Sequence, residues 1–208
     1  MGLFRKYWPT CSYEVSLVTD ECNEKWEGDI IINCKKDNGW IQNLYEGLMR
    51  FRMTDKILLM QEDFFLSDPV NDSVVNRAEK MMNENEAIAC TRLMPCPGPD
   101  YMVDDMFGII NEDAPYRVSC QAALWRVDSL QKLLLDLMEK HGSNHPGEFE
   151  IIGTKMKPAG VYMSVKREQP FPLPYLVSAI SRGKWNPDAI KLCKKNNIPI
   201  NTTRRPIE

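Results

Sequence analysis

The stretch Lys56-Ile-Leu-Leu-Met-Gln-Glu-Asp-Phe-Phe65 decides the reading, because a short apolar run ends in two adjacent carboxylates before apolar residues resume. A run this short fits a buried strand better than a helix. Glu62 and Asp63 then lie at the strand's carboxyl end, where open α/β sheets bind ligands. Unpaired carboxylates are strongly unfavourable in an apolar interior, so the pair either faces a solvated crevice or shares a cation. Oxygen donors with few soft ligands nearby suit Mg²⁺ or Mn²⁺. The plainer alternative makes the same two residues the start of a surface turn.

Outward from this stretch, strand and helix patterns alternate, which predicts an α/β fold with a central mixed, mostly parallel sheet flanked by helices. Residues 13–18, 29–32, 86–92 and 116–125 read as strands. In the last, alternation puts Tyr116, Val118, Cys120, Ala122 and Leu124 on one face, and Arg117, Ser119, Gln121 and Trp125 on the other. Apolar residues at helical spacing run from Trp40 to Met49 and again from Val70 to Met82, the second behind Asp68-Pro69 as a helix start. Asp128 with Gln131 reads as a capped helix start, Gly142 as that helix's end, and Asn186-Pro187 as the start of the last helix.

The 208 residues, 43% hydrophobic and 26% charged, suffice for one well-filled domain, expected to span 1–208 with a half at 1–92 and another at 93–208. No apolar run approaches the ~20 residues of a membrane span, and the start Met-Gly-Leu-Phe-Arg-Lys-Tyr-Trp lacks a signal-peptide core. A soluble, cytoplasmic protein is expected. Seven scattered cysteines without a Cys-x-x-Cys indicate neither a zinc site nor a disulfide scaffold. The net charge of −3 is uneven, since residues 151–208 carry 11 basic against three acidic side chains. That basic segment either closes over an anionic ligand or balances the acidic remainder. The basic residues form no dense cluster, so no nucleic-acid partner is expected.

Two breaks in the pattern are long enough to matter. Residues 93–115, rich in proline and containing Asp100, Asp104 and Asp105, read as one long loop of the kind that is functional or disordered. Residues 141–149 bring both histidines beside carboxylates. That grouping reads either as a metal site or as a helix end favoured by the His141 charge.

A strand ending in Gln61-Glu62-Asp63 resembles the Asp-x-Asp element of GT-A glycosyltransferases, with Gln61 in the place of the first aspartate. The order of Leu3-Phe-Arg-Lys-Tyr-Trp-Pro9, Leu17-Val-Thr-Asp20, Asn38-Gly-Trp40, the acidic stretch, Tyr116 to Trp125, Glu148-Phe-Glu150 and Gly183-Lys-Trp185 extends the likeness over most of the chain. It is similar to the compact glycosyltransferase domain of chlorella viruses that builds capsid-protein glycans. The resemblance implies a GT-A-like domain, a UDP-sugar donor of the UDP-glucose or UDP-rhamnose type, Mn²⁺ or Mg²⁺ as cofactor, and a glycan or glycoprotein acceptor. Members of that group carry a further strand and loop ahead of the Leu3–Trp8 segment. The uracil pocket is therefore expected to be built differently here, or the chain to be a shortened product.

On this resemblance Asp63 is the direct metal ligand and Glu62 its companion. Asp20 is placed for the uracil edge, or is a turn carboxylate. Lys36, Asp37, Gly39 and Trp40 form the next loop, where glycine permits close backbone approach and an indole lines the nucleoside pocket or packs in the core. Arg92 is a contact to sugar or phosphate, or a surface ion pair; Gln121 touches the sugar, or is a satisfied sheet amide. Lys184, then Arg182, reach the diphosphate from the C-terminal segment, or Lys184 is a solvated surface lysine. Glu150, with Glu148 second, serves the acceptor or sugar side, as general base if the enzyme inverts and as an orienting group if it retains. Two other classes stay open: a nucleotidyltransferase of sugar phosphates, and a noncatalytic nucleotide- or sugar-binding module.

Overall fold

The computed structural model describes residues 1–20, 28–34 and 36–208. Its elements in order are α1 (Gly2–Tyr7), β1 (Ser16–Thr19), β2 (Ile30–Asn33), α2 (Trp40–Leu48), β3 (Lys56–Leu59), β4 (Phe65–Leu66), α3 (Asp72–Glu84) and β5 (Ile88–Arg92). There follow β6 (Tyr101–Met102), β7 (Phe107–Ile109), β8 (Ala123–Arg126), α4 (Val127–His141), α5 (Pro146–Lys155) and β9 (Val161–Val165). The chain closes with β10 (Tyr175–Leu176), β11 (Ile180–Ser181), β12 (Lys184–Trp185) and α6 (Pro187–Lys195).

A six-stranded sheet in the order β3-β8-β5-β9-β7-β6 forms the centre. It is mixed and flanked by helices, as the alternating patterns predict, but it is mainly antiparallel. Among neighbouring strands of this sheet only β5 and β9 pair parallel; β3 and β5 both pair antiparallel with β8, and β7 pairs antiparallel with β9 and β6. The departure arises in two places. Residues 93–115 are not one loop but contain the β6–β7 hairpin, and β8 enters between β3 and β5. Because β3 belongs to the first half of the chain and β8 to the second, the sheet interleaves residues 1–92 with 93–208. A separate parallel pair, β1–β2, packs against α2.

Period-2 alternation in the central strands divides the core into two layers. Leu124, Ile88 and Met163 face Trp8, Val75, Ala78 and Met82 of the α1/α3 layer, while Ala123, Trp125 and Tyr162 face Ile41, Leu130, Leu134 and Phe149 of the α2/α4/α5 layer. Trp125 meets Tyr162 edge-on at 5.6 Å, a favoured aromatic geometry. The expected strand over 116–125 is regular only from Ala123. Tyr116 has φ of 55°, so the backbone turns, and Val118 joins the second layer while Ala122 and Leu124 join the first.

Helix boundaries follow cap chemistry, with two shifts. Helix α3 begins behind Asn71, whose side chain accepts from the Val74 N–H, instead of at Asp68-Pro69. Helix α4 has Arg126 at its N-cap position and Asp128 inside its first turn, while Gly142, with φ of 61°, ends it as expected. The Arg126 guanidinium instead donates to the carbonyls of Ile88, Asn85 and Met82, binding the end of α3 to the sheet. Asn186 caps α6 through the Asp188 N–H. The six described cysteines are free thiols, and Cys22 lies outside the described residues. Among the described residues no helix is long and apolar enough to cross a membrane.

Candidate functional site

Since β3 and β5 run in the same direction, the carboxyl ends of both and the entry to β8 meet at one end of the sheet. The acidic turn sits there. The Gln61 carbonyl accepts the Phe64 N–H at 3.2 Å, closing a turn that carries Glu62 and Asp63 at its tip before β4 begins. Glu62 is exposed and Asp63 half-buried. Burial, and then the neighbouring Glu62 charge, push the Asp63 carboxyl above the usual carboxylate value, against the lowering effect of the Ile180 N–H. The contacts that lower it are backbone groups, and none is a cation.

The basic C-terminal segment folds back onto this turn. The Ala179 N–H donates to the Asp63 carbonyl at 2.9 Å and the Ile180 N–H lies 3.4 Å from its carboxylate. From there β11 and β12 form a hairpin whose two-residue turn, Arg182-Gly183, has φ of 48° and 76°. Paired left-handed residues match the twist of a tight hairpin, and glycine relieves the second position. Arg182 and Lys184 are exposed at or beside this tip, while Trp185 lies 6.4 Å from Phe65. The hairpin is secured from behind, since Trp185 donates its backbone N–H to Pro206 and its indole N–H to Asn201.

The loop before α2 also reaches the turn. Trp40 donates its indole N–H to Gln61 Oε1 at 3.2 Å and lies 5.3 Å from the Phe149 ring. Asp37 accepts from the Gly39 N–H, and Lys36 is exposed. Gly39, with φ of 92°, has no room for a Cβ because the Asn144 amide lies against it; Asn144 bonds the Asn38 carbonyl and the Gln42 N–H. The close approach that glycine permits here is therefore to Asn144. Asp20, at the end of β1, accepts from the Thr19 hydroxyl at 3.3 Å.

The remaining site candidates divide. Glu150 is half-buried, with Oε1 accepting from the Ser119 hydroxyl at 3.0 Å and the Cys120 N–H at 2.9 Å. Gln121 Oε1 accepts from the Tyr175 hydroxyl at 2.7 Å, and that hydroxyl accepts from the Ala122 N–H. Tyr175 in turn stacks on Phe64 at 4.6 Å, so the acidic turn and the 119–122 segment are joined through one ring. Glu148 is occupied otherwise: its carboxylate accepts from the Asn144 and His145 N–H groups in the capping box of α5, which holds it below the usual carboxylate value. His145 completes that box by accepting from Gly147, so the histidine segment is a helix cap.

Arg92 is a correction. Expected as a sugar or phosphate contact or a surface ion pair, it is 1% exposed and spends its guanidinium on the carbonyls of Pro97, Tyr116 and Arg117. It ties the segment before the β6–β7 hairpin to the segment before β8.

Tyr175 and Ser119 were not singled out from the sequence. Tyr175 is hidden in Phe171-Pro-Leu-Pro-Tyr175, which has no periodicity, and Ser119 matters only because the backbone bends between Tyr116 and Ala122. Two open depressions exist elsewhere, about 300 Å³ between α3 and the sheet edge and about 410 Å³ beside Glu148 and Ile151. Both are mainly apolar, and neither includes the acidic turn. Among the described residues no group of three or more His, Cys, Asp or Glu side chains is arranged to hold a metal. Among the described residues the acidic turn therefore offers two protein carboxylates, Glu62 and Asp63. This suits a cation of the Mg²⁺ type completed by phosphate oxygens and water, and does not suit a closed protein cage. Comparisons with protein-family models, curated proteins and solved structures find no match to the chain.

Proposed function

We propose that the chain is a metal-dependent glycosyltransferase that takes a UDP-sugar, of the UDP-glucose or UDP-rhamnose type, and transfers its sugar to a glycan acceptor. The observation that carries the reading is Asp63. It is a half-buried carboxylate at a sheet's carboxyl end, beside a second carboxylate, with a basic hairpin folded onto its backbone. Burial and then the neighbouring Glu62 charge raise its proton affinity, and a divalent cation would relieve that repulsion.

In this reading Asp63 and Glu62 hold Mn²⁺ or Mg²⁺, which neutralises charge on the departing diphosphate. Lys184 and Arg182 stand on the hairpin that borders the turn and meet the outer phosphate oxygens. Trp40 and Asp20 border the nucleoside side. Gln121 is oriented by Tyr175 toward the sugar. Glu150 keeps one oxygen for Ser119 and Cys120 and presents the other to the acceptor or sugar. It acts as base in an inverting reaction and as an orienting group in a retaining one.

Titration calorimetry of UDP, with GDP and CMP as controls, with and without Mn²⁺, on the wild type and Asp63→Ala tests the donor site. UDP-selective, Mn²⁺-dependent binding that disappears in the variant is expected. Equal binding without metal and without Asp63 would remove the reading. Turnover then separates the classes: free UDP with a glycosylated acceptor fits a glycosyltransferase, pyrophosphate release a nucleotidyltransferase, and binding without turnover a binding module.

A further inference from the structure

Charge is uneven along the chain, and the fold gathers basic residues that the sequence disperses. Residues 1–150 carry 26 acidic side chains against 15 basic, whereas residues 182–208 carry seven basic against two acidic. Helix α6 buries Ala189, Ile190 and Cys193, so Lys191, Lys194 and Lys195 share its exposed face. The Tyr7 hydroxyl donates to Asn196 at 2.9 Å, which brings the last turn of α1, with exposed Arg5 and Lys6, to the last turn of α6. The tail then returns beside β12, where Ile207 bridges to Trp185 and the Glu208 N–H donates to the Trp185 carbonyl. That path sets exposed Arg205, and Ile207 with 54% of its surface exposed, next to the same unit.

Local partners meet only part of this charge. Arg5 lies 4.0 Å from Asp29, and Lys191 is paired with Asp188. Lys6, Lys194, Lys195 and Arg205 form no ion pair among the described residues. The two helix C-termini supply about half a negative charge each, which leaves a surplus over the lysines beside them. We propose that this end of the molecule is a docking surface for an anionic lipid bilayer, with the basic residues of α1, α6 and the tail meeting the headgroups. Charge complementarity selects an anionic surface. Ile207 beside Trp185 selects lipid over duplex nucleic acid, because the headgroup boundary accepts an aliphatic side chain and a phosphate backbone does not. The net-negative remainder of the chain is repelled by the same surface, so the basic end approaches first.

Cosedimentation with vesicles tests this, using phosphatidylcholine alone and phosphatidylcholine mixed with phosphatidylserine. The wild type should bind the mixed vesicles at low ionic strength, leave them as salt is added, and ignore phosphatidylcholine alone. The double variant Lys194→Gln, Lys195→Gln should bind about twentyfold more weakly, since each basic residue at such a surface contributes about fivefold. The charge-conserving pair Lys194→Arg, Lys195→Arg should bind as the wild type does, and melting temperatures report that both variants are folded. Failure of the wild type to bind mixed vesicles, equal binding to both vesicle types, or undiminished binding by the glutamine variant would overturn the inference. Tighter binding of duplex DNA than of mixed vesicles at the same salt would also overturn it, by giving the surface to nucleic acid. None of these outcomes bears on the donor-site reading of Asp63, and the hairpin tip assigned to the diphosphate is left unaltered throughout.

Discussion

At the scale of single residues, two charged side chains differ in how their burial is resolved. Asp63 is left with its carboxyl raised by burial and by Glu62. A carboxylate with a raised folded pKa binds its proton more strongly folded than unfolded, so stability falls as pH rises from the unfolded value of about 3.9 through the folded one. Asp63→Asn should therefore stabilise the protein at neutral pH in metal-free buffer. Urea titrations should show that advantage shrinking on acidification and vanishing below about pH 3.9. An advantage independent of pH would mean that the Asp63 charge is already compensated. Arg92 has its charge met by three carbonyls, so burial lowers its pKa without depriving it of hydrogen bonds. Arg92→Met retains an apolar stem but orphans those carbonyls. Denaturant unfolding should show a loss of about 3 kcal/mol, larger than a surface arginine change produces.

At the scale of elements, stability is set where side chains finish the backbone's unpaired groups. Asn71 accepts from Val74 N at the start of α3, and Asn71→Ala should cost about 1 kcal/mol by urea titration. Asp68→Ala should cost little, because the helix begins behind Asn71 and not behind Asp68-Pro69. The comparison shows what was legible. Helical spacing located α2 and α3 because each buries a single apolar stripe. Apolar content located β3 and β5, and cap residues located the end of α4 and the start of α6. The start of α3 was missed because a proline start and an asparagine cap lie within three residues, and only the three-dimensional path selects between them. The strand expected over 116–125 failed at Tyr116, whose positive φ is maintained by contacts distant in sequence, notably the Arg92 bond to its carbonyl. The β6–β7 hairpin was invisible for a related reason: strands of two and three residues are too short to show a period.

At the scale of the whole molecule, the candidate site is assembled by segments distant in sequence that converge on one end of the sheet. The acidic turn was readable from its own ten residues. Its neighbours at Trp40, Gln121 and the 180–185 hairpin were named from resemblance, and their convergence depends on pairings such as β4 with β10 that no local pattern announces. Arg92, placed at the same end by its strand, turns inward instead, since the chain around Pro97 and Arg117 surrounds it. A ligand bound across such a convergence stabilises the assembly as a unit, because unfolding any contributing segment releases it. At a free concentration about one hundred times its Kd, a ligand specific for the folded state adds about 2.7 kcal/mol. For a chain of 208 residues that corresponds to a rise in melting temperature of roughly 5–10 °C. UDP with Mn²⁺ should produce that rise in the wild type. It should fail to do so in Asp63→Ala, and it should be diminished in Lys184→Glu, where the hairpin tip would repel the diphosphate while leaving the turn unchanged. Scanning calorimetry of the three proteins, each with and without UDP and Mn²⁺, measures this. An equal rise in all three would place the nucleotide away from the acidic turn. A rise lost only in Asp63→Ala would retain the metal while removing the basic hairpin from phosphate binding.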